Sequence, residues 1–173
     1  MTDLSRRAFL TGAAGLGLTA AAAPARAQAL PAIPPGSRFS AIMVDVGPLY
    51  ARGLGPYADF VRSSLSAELQ RAFADRIGPG PRLVVRITGI TLNPFVGGGS
   101  SSRRGWGGGG GTDSDYLEGE ALLVGPRGEI LARHPQLSAT PASMGGAWYD
   151  PASEQKRTAF LAYHYAAWLR RQI

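Results

Sequence analysis

A chain of 173 residues has room for one domain of modest size, and an apolar share of 45% with 17% charged residues belongs to a globular protein rather than a fibrous or disordered one. The lack of cysteine excludes disulfides, thiolate metal sites and a lipidated N-terminal cysteine, so stability has to come from packing. Eighteen basic against twelve acidic residues give a net +6, too mild an excess to point to nucleic acid, while 24 glycines and 13 prolines require much irregular backbone.

The chain opens on Ser5-Arg6-Arg7-Ala8-Phe9-Leu10, followed by a weakly apolar Gly/Ala-rich segment, Thr11 to Ala23, and then Ala25-Arg26-Ala27. Ala25 and Ala27 satisfy a small-x-small cleavage pattern. This stretch resembles a twin-arginine signal peptide with Arg6, Arg7, Phe9 and Leu10 as its export motif; Thr11 stands where such motifs often carry Lys. The resemblance implies export of the folded chain by the twin-arginine machinery into a bacterial periplasm, the alternative being an ordinary Sec-type leader. The apolar core is too short and too rich in Gly and Ala for a permanent membrane span. Cleavage after residue 27 would start the mature chain at Gln28, with Ala29-Leu30 as a second junction. Without residues 1–27, which hold Arg6, Arg7, Arg26 and Asp3, fifteen basic residues face eleven acidic ones.

Residues 28–36 form a proline-rich lead-in expected to be flexible and extended. Ser37 to Val46 is apolar and β-branched enough for a strand that Gly47-Pro48 closes. A connector, 49–55, leads to Pro56, suited to a first helical turn because its missing N–H would have no partner there. Val61, Leu65, Leu69, Ala72, Phe73 and Ile77 then recur at spacings of three and four, one apolar stripe of a helix that Gly78-Pro79-Gly80-Pro81 stops.

The most strand-like run is Arg82 to Phe95. Leu83, Val85 and Ile87 alternate with Val84, Arg86 and Thr88, and after Gly89 the apolar set moves to Ile90 and Leu92. A change of parity at glycine predicts a β-bulge, and Pro94 ends the ladder. Residues 97–112, GGGSSSRRGWGGGGGT, are low-complexity sequence expected to form a long, disordered excursion between strands. Asp115 to Val124 resumes the sheet with Glu118 and Glu120 on its wet face, where Arg86 is the expected cross-strand partner. Gly125-Pro126-Arg127-Gly128 is a tight-turn signature, and Glu129 to Arg133 returns as a strand. Residues 134–149 read as irregular, with Trp148 and Tyr149 expected as an aromatic plug beneath a last helix. Asp150-Pro151 starts that helix, which carries Thr158, Leu161, Ala162, Tyr165, Trp168 and Leu169 on one face and Arg170 and Arg171 at the negative end of its dipole.

The order β-α-β-β-β-α predicts an α+β two-layer sandwich: one mainly antiparallel four-stranded sheet with two helices on one face, in a single domain spanning 37–173. The first two strands, joined through a helix, can pair in parallel by a right-handed crossover. In element order this is similar to the small envelope proteins typified by the LPS-assembly lipoprotein, which share a β-α-β-β-β-α sandwich. The resemblance implies an envelope role, although the lipidated cysteine of those lipoproteins is missing here.

Residues suited to chemistry are sparse. His134 and His164 stand in neither a metal-ligand nor a triad spacing, and Gly-x-Ser-x-Gly, His-Glu-x-x-His and phosphate-loop motifs are lacking. Asp113, Asp115, Glu118 and Glu120 form the densest carboxylate group, but Glu118 and Glu120 alternate along a strand, where a solvated face explains them, and the Asp-rich loop lacks the usual ligand spacing. No metal or other cofactor is expected. Arg103, Arg104 and Trp106, two guanidinium groups and an indole among glycines, are the candidate ligand contacts, able to meet phosphate or carboxylate and to stack on a ring. The reading is a non-catalytic periplasmic binding or envelope-assembly module whose partner is an anionic envelope component or another envelope protein. An exported enzyme with an unrecognised site is the alternative.

Overall fold

In the strand β2, Arg82–Thr91, Leu83, Val85 and Ile87 point inward and are fully buried, as period-2 alternation requires. The computed structural model describes residues 30–94, 114–147 and 149–173. It contains β1 (Ile42–Asp45), α1 (Gly47–Ala51), α2 (Gly55–Ala72), β2, β3 (Ser114–Val124), β4 (Ile130–Pro141) and α3 (Ser153–Gln172), with 3₁₀ turns at Ala74–Arg76 and Ala142–Gly145. The four strands form one mixed sheet in the order β1-β2-β3-β4. β1 is parallel to β2, while β3 and β4 follow antiparallel. The α+β class and the order of the main elements are those expected from the sequence.

The glycine bulge is present: Ile87 faces Gly119 and Gly89 faces Glu118, leaving Thr88 without a partner across the ladder. Ile90 therefore stands beside Leu117 and packs against the core from the far side of the bulge. Arg86 faces Glu120, with 3.5 Å between Arg86 Nη1 and Glu120 Oε1, so the expected cross-strand pair is formed.

Four local expectations change. β1 is only four residues long, because Phe39 and Ser40 give their N–H groups to Arg76 O and Pro81 O, at 2.9 and 3.0 Å, instead of to a strand. The connector at 49–55 contains the short helix α1, started by Pro48. α2 stops at Ala72, and Ile77, expected on its buried stripe, is half exposed in extended backbone. β4 runs to Pro141 rather than ending at Arg133. As an edge strand it tolerates Pro135, whose missing N–H would have pointed away from β3.

The core is built by Val61, Leu65, Leu69 and Phe73 from α2 and its C-terminal flank, by Leu161, Ala162, Tyr165 and Leu169 from α3, and by the inward residues of the sheet. Trp168, expected within that stripe, is 44% exposed and carries the Arg171 guanidinium 6.0 Å from its ring centroid. The buried positions of α3 run Leu161, Tyr165, Leu169 and Ile173 at four-residue steps, which leaves Trp168 on the flank. Part of the lead-in is docked: Arg133 N–H donates to Pro31 O at 2.9 Å along the edge of β4, and Ile33 is buried in the core. Among the described residues no helix is long and apolar enough to cross a membrane.

Candidate functional site

β2 ends at the residues just before Pro94 and β3 begins at Ser114, so the two roots of the glycine-rich segment meet at one end of the sheet. Asn93 N–H donates to Asp115 Oδ1 at 3.0 Å, and Asn93 Nδ2 donates to Ser114 O at 2.5 Å. Asp115 is completely buried. Its carboxylate accepts a two-pronged bond from Arg157, whose Nε lies 2.6 Å from Oδ2 and whose second prong reaches Oδ1; the same guanidinium donates to Asn93 O at 2.5 Å. Arg157 stands at the start of the second turn of α3, where its hydrogen bonds to the Asp115 carboxylate push its pKa up against the effect of burial.

On the next residue of α3, Thr158 Oγ1 donates to Glu154 O at 2.8 Å and lies 2.6 Å from the Tyr57 hydroxyl. The single threonine proton is committed to Glu154 O, so Tyr57 is the donor of the shorter bond. Burial pushes the Tyr57 phenol up. These contacts join the N-terminal halves of α2 and α3 around an open cleft. It has a volume of 220 Å³ and is lined by Leu54, Tyr57, Ile90, Leu92 and Glu154. A second depression of 290 Å³, which shares Tyr57 and Glu154 with it, is bounded by Pro56, Phe60, Pro151 and Gln155. Among the described residues Glu154 is the one charged group of the lining, and it sits where the α3 dipole favours a carboxylate. A cleft of mixed polar and apolar lining with one anionic group suits an apolar or aromatic moiety beside a cation.

The carboxylates grouped in the sequence are not brought together. Asp115 points inward to Arg157, while Glu120 points outward to Arg86 and Arg133, as opposite parity on β3 demands. Among the described residues no group of three or more His, Cys, Asp or Glu could hold a metal ion. His134 faces inward on β4, where burial pushes its pKa down, and His164 is half-buried on α3. Neither histidine lines the cleft.

Tyr149, expected as part of an aromatic plug, is 75% exposed. The space beneath α3 is taken by Ala142 and Gly145 instead. A Cβ at Gly145 would stand 2.5 Å from Ser153 Oγ and 2.6 Å from Arg157 Cγ, too close for any side chain. Trp148 lies outside the described residues, as do Arg6, Arg7, Phe9, Leu10, Ala25, Ala27, Arg103, Arg104, Trp106 and Asp113. The Asp115–Arg157 pair was not expected from the sequence, where the two residues stand 42 positions apart.

No protein-family model matches the chain, and no curated protein matches it. Among solved structures it is similar to one titled as an uncharacterized protein, with TM-score 0.43 and 17% identity over 83% of this chain and 94% of that one. It is also similar to a minor lipoprotein from Acinetobacter baumannii, with TM-score 0.33 and 10% identity over 79% and 88% of the two chains. Both likenesses are too distant to carry a residue or a function across.

Proposed function

We propose that this chain is an exported, non-catalytic binding or assembly module of the bacterial envelope, delivered folded to the periplasm by the twin-arginine machinery through Arg6, Arg7, Phe9 and Leu10. The observation that carries the binding reading is the cleft between the first turns of α2 and α3, with Glu154 as the one charge among its described residues. It stands at the roots of the glycine-rich segment, which the Asp115–Arg157 pair ties to α3. In this reading the cleft takes an apolar or aromatic group of a partner. Arg103, Arg104 and Trp106 engage an anionic envelope component through charge-assisted hydrogen bonds and stacking.

The test is a pull-down from envelope extract with three proteins: wild type, Arg103→Ser/Arg104→Ser/Trp106→Gly, and Leu92→Ser/Glu154→Gln. Partners retained by wild type should be lost from both variants while their circular dichroism stays unchanged. The same partners on all three equally folded proteins would remove cleft and segment alike as the binding site. A stoichiometric cofactor in protein purified from its native host would instead favour an exported enzyme.

A further inference from the structure

The face of the sheet turned away from the core carries a row of charges with one member from each strand: Asp45, Arg86, Glu120 and Arg133. Register produces the row. Asp45 faces Arg86 and Arg86 faces Glu120, while Arg133 reaches diagonally to Glu120 from a position two residues before that residue's own partner, Pro135. Arg86 Nε donates to Asp45 Oδ2 at 2.9 Å. Beside the charged row runs an apolar one, in which Met43, Val84 and Leu122 are neighbours across three strands. Leu131 lies at its end in a groove of 390 Å³ shared with Val124, Pro81 and Arg82. Met43 is 50% exposed and Leu131 42% exposed.

The alternation of sign limits what this face can meet. A uniformly anionic surface or polymer would be repelled by Asp45 and Glu120 as much as it was attracted by Arg86 and Arg133. The row is complementary to itself, however: read from the other end, minus, plus, minus, plus becomes plus, minus, plus, minus. We propose that two copies of this chain associate through this face about a two-fold axis running along the strands between β2 and β3. Arg86 then lies over Glu120 of the second copy, whose side chain is 12% exposed, while Leu122 beside it is buried within its own chain and leaves the apolar contact to Met43 and Leu131. Asp45 and Met43 meet the flank that carries its Arg133 and Leu131. Sheets packed face to face keep their strands roughly aligned, which this axis satisfies. Strands ~4.8 Å apart, with four residues from β1 and about six from each of the others at ~3.4 Å per residue, give roughly 360 Å² per copy, less than half of the ~800 Å² per partner of a standard interface, so the association is weak and depends on concentration.

The test uses the protein as its host makes it, followed by sedimentation velocity from about 1 to 100 μM, the range in which an interface of this size should dissociate. The wild type should shift from monomer to dimer across the series. Met43→Lys/Leu131→Lys, two changes at exposed positions, should stay monomeric throughout. The ladder inverted in full, Asp45→Arg/Arg86→Glu/Glu120→Arg/Arg133→Glu, keeps its alternation and should dimerise with itself. Against wild type it places like charge on like charge, so energy transfer between labelled copies should fall about tenfold relative to the wild-type pair. A wild type that is monomeric at every concentration overturns the proposal. So does a dimer that tolerates the two lysines or that pairs with the inverted ladder as readily as with itself.

Discussion

Replacing Arg157 by Met keeps the length of the side chain and removes its charge. The guanidinium makes two bonds to Asp115 and one to Asn93 O, all within the fold. Breaking a buried pair from one side costs about 3 to 5 kcal/mol, because the remaining charge is stranded away from water. One feature lowers the figure here: Asn93 N–H still donates to Asp115 Oδ1. The expected loss is therefore about 2 to 4 kcal/mol at pH 7, a large part of the roughly 5 to 15 kcal/mol that holds a domain together. Urea denaturation of wild type and variant at pH 7 measures the loss. Adding Asp115→Asn to the variant should recover part of it, because no charge is then left stranded. A deficit of less than about 1 kcal/mol, or one that Asp115→Asn leaves unchanged, would refute an electrostatic role for the pair and leave only packing.

Leu69→Ala, at a fully buried site of α2, should cost about 2 to 5 kcal/mol, whereas Trp168→Ala, on the flank of α3, should cost less than about 1 kcal/mol; denaturant midpoints compare the two. Gly119→Ala should cost about 1 to 3 kcal/mol, since a Cβ there would stand 2.5 Å from Arg86 O and 3.0 Å from the Tyr165 hydroxyl, and the same midpoints report it. The hydrogen bond from Arg86 holds the Asp45 carboxyl below its usual range, so the pair contributes stability above the unfolded carboxylate value and loses it as pH falls through the lower folded one. Asp45→Asn should accordingly be slightly less stable than wild type at pH 7 and equal to it near pH 2, the effect staying small because both side chains are well exposed. Arg6→Lys/Arg7→Lys should hold the protein in the cytoplasm, read by fractionation; undiminished export would argue for the Sec route.

The sequence by itself determined the features that depend on local pattern. The alternation of Leu83, Val85 and Ile87 set the inward face of β2, and the parity change at Gly89 set the bulge, because a strand has a period of two and an extra residue inverts it. Pro56 marked the start of α2, and the tight turn at Gly125 to Gly128 was legible from its residues. What depends on neighbours distant in the chain was decided only by the tertiary structure. Pro135 looked like the end of β4 until the sheet placed that strand at its edge, where a missing N–H costs nothing. Trp168 was placed on the buried face by its helical spacing and Tyr149 in an aromatic plug, yet the space beneath α3 was taken by Ala142 and Gly145, whose lack of bulk lets the helix come close. The cleft was illegible for the same reason. Leu54, Tyr57, Ile90, Leu92 and Glu154 come from three separate elements, and each alone reads as an ordinary residue of a helix or strand. The Asp115–Arg157 pair spans 42 positions, and no local pattern couples groups so far apart. A buried charge selects its partner by geometry in the folded chain, where removal from water makes the unpaired alternative expensive.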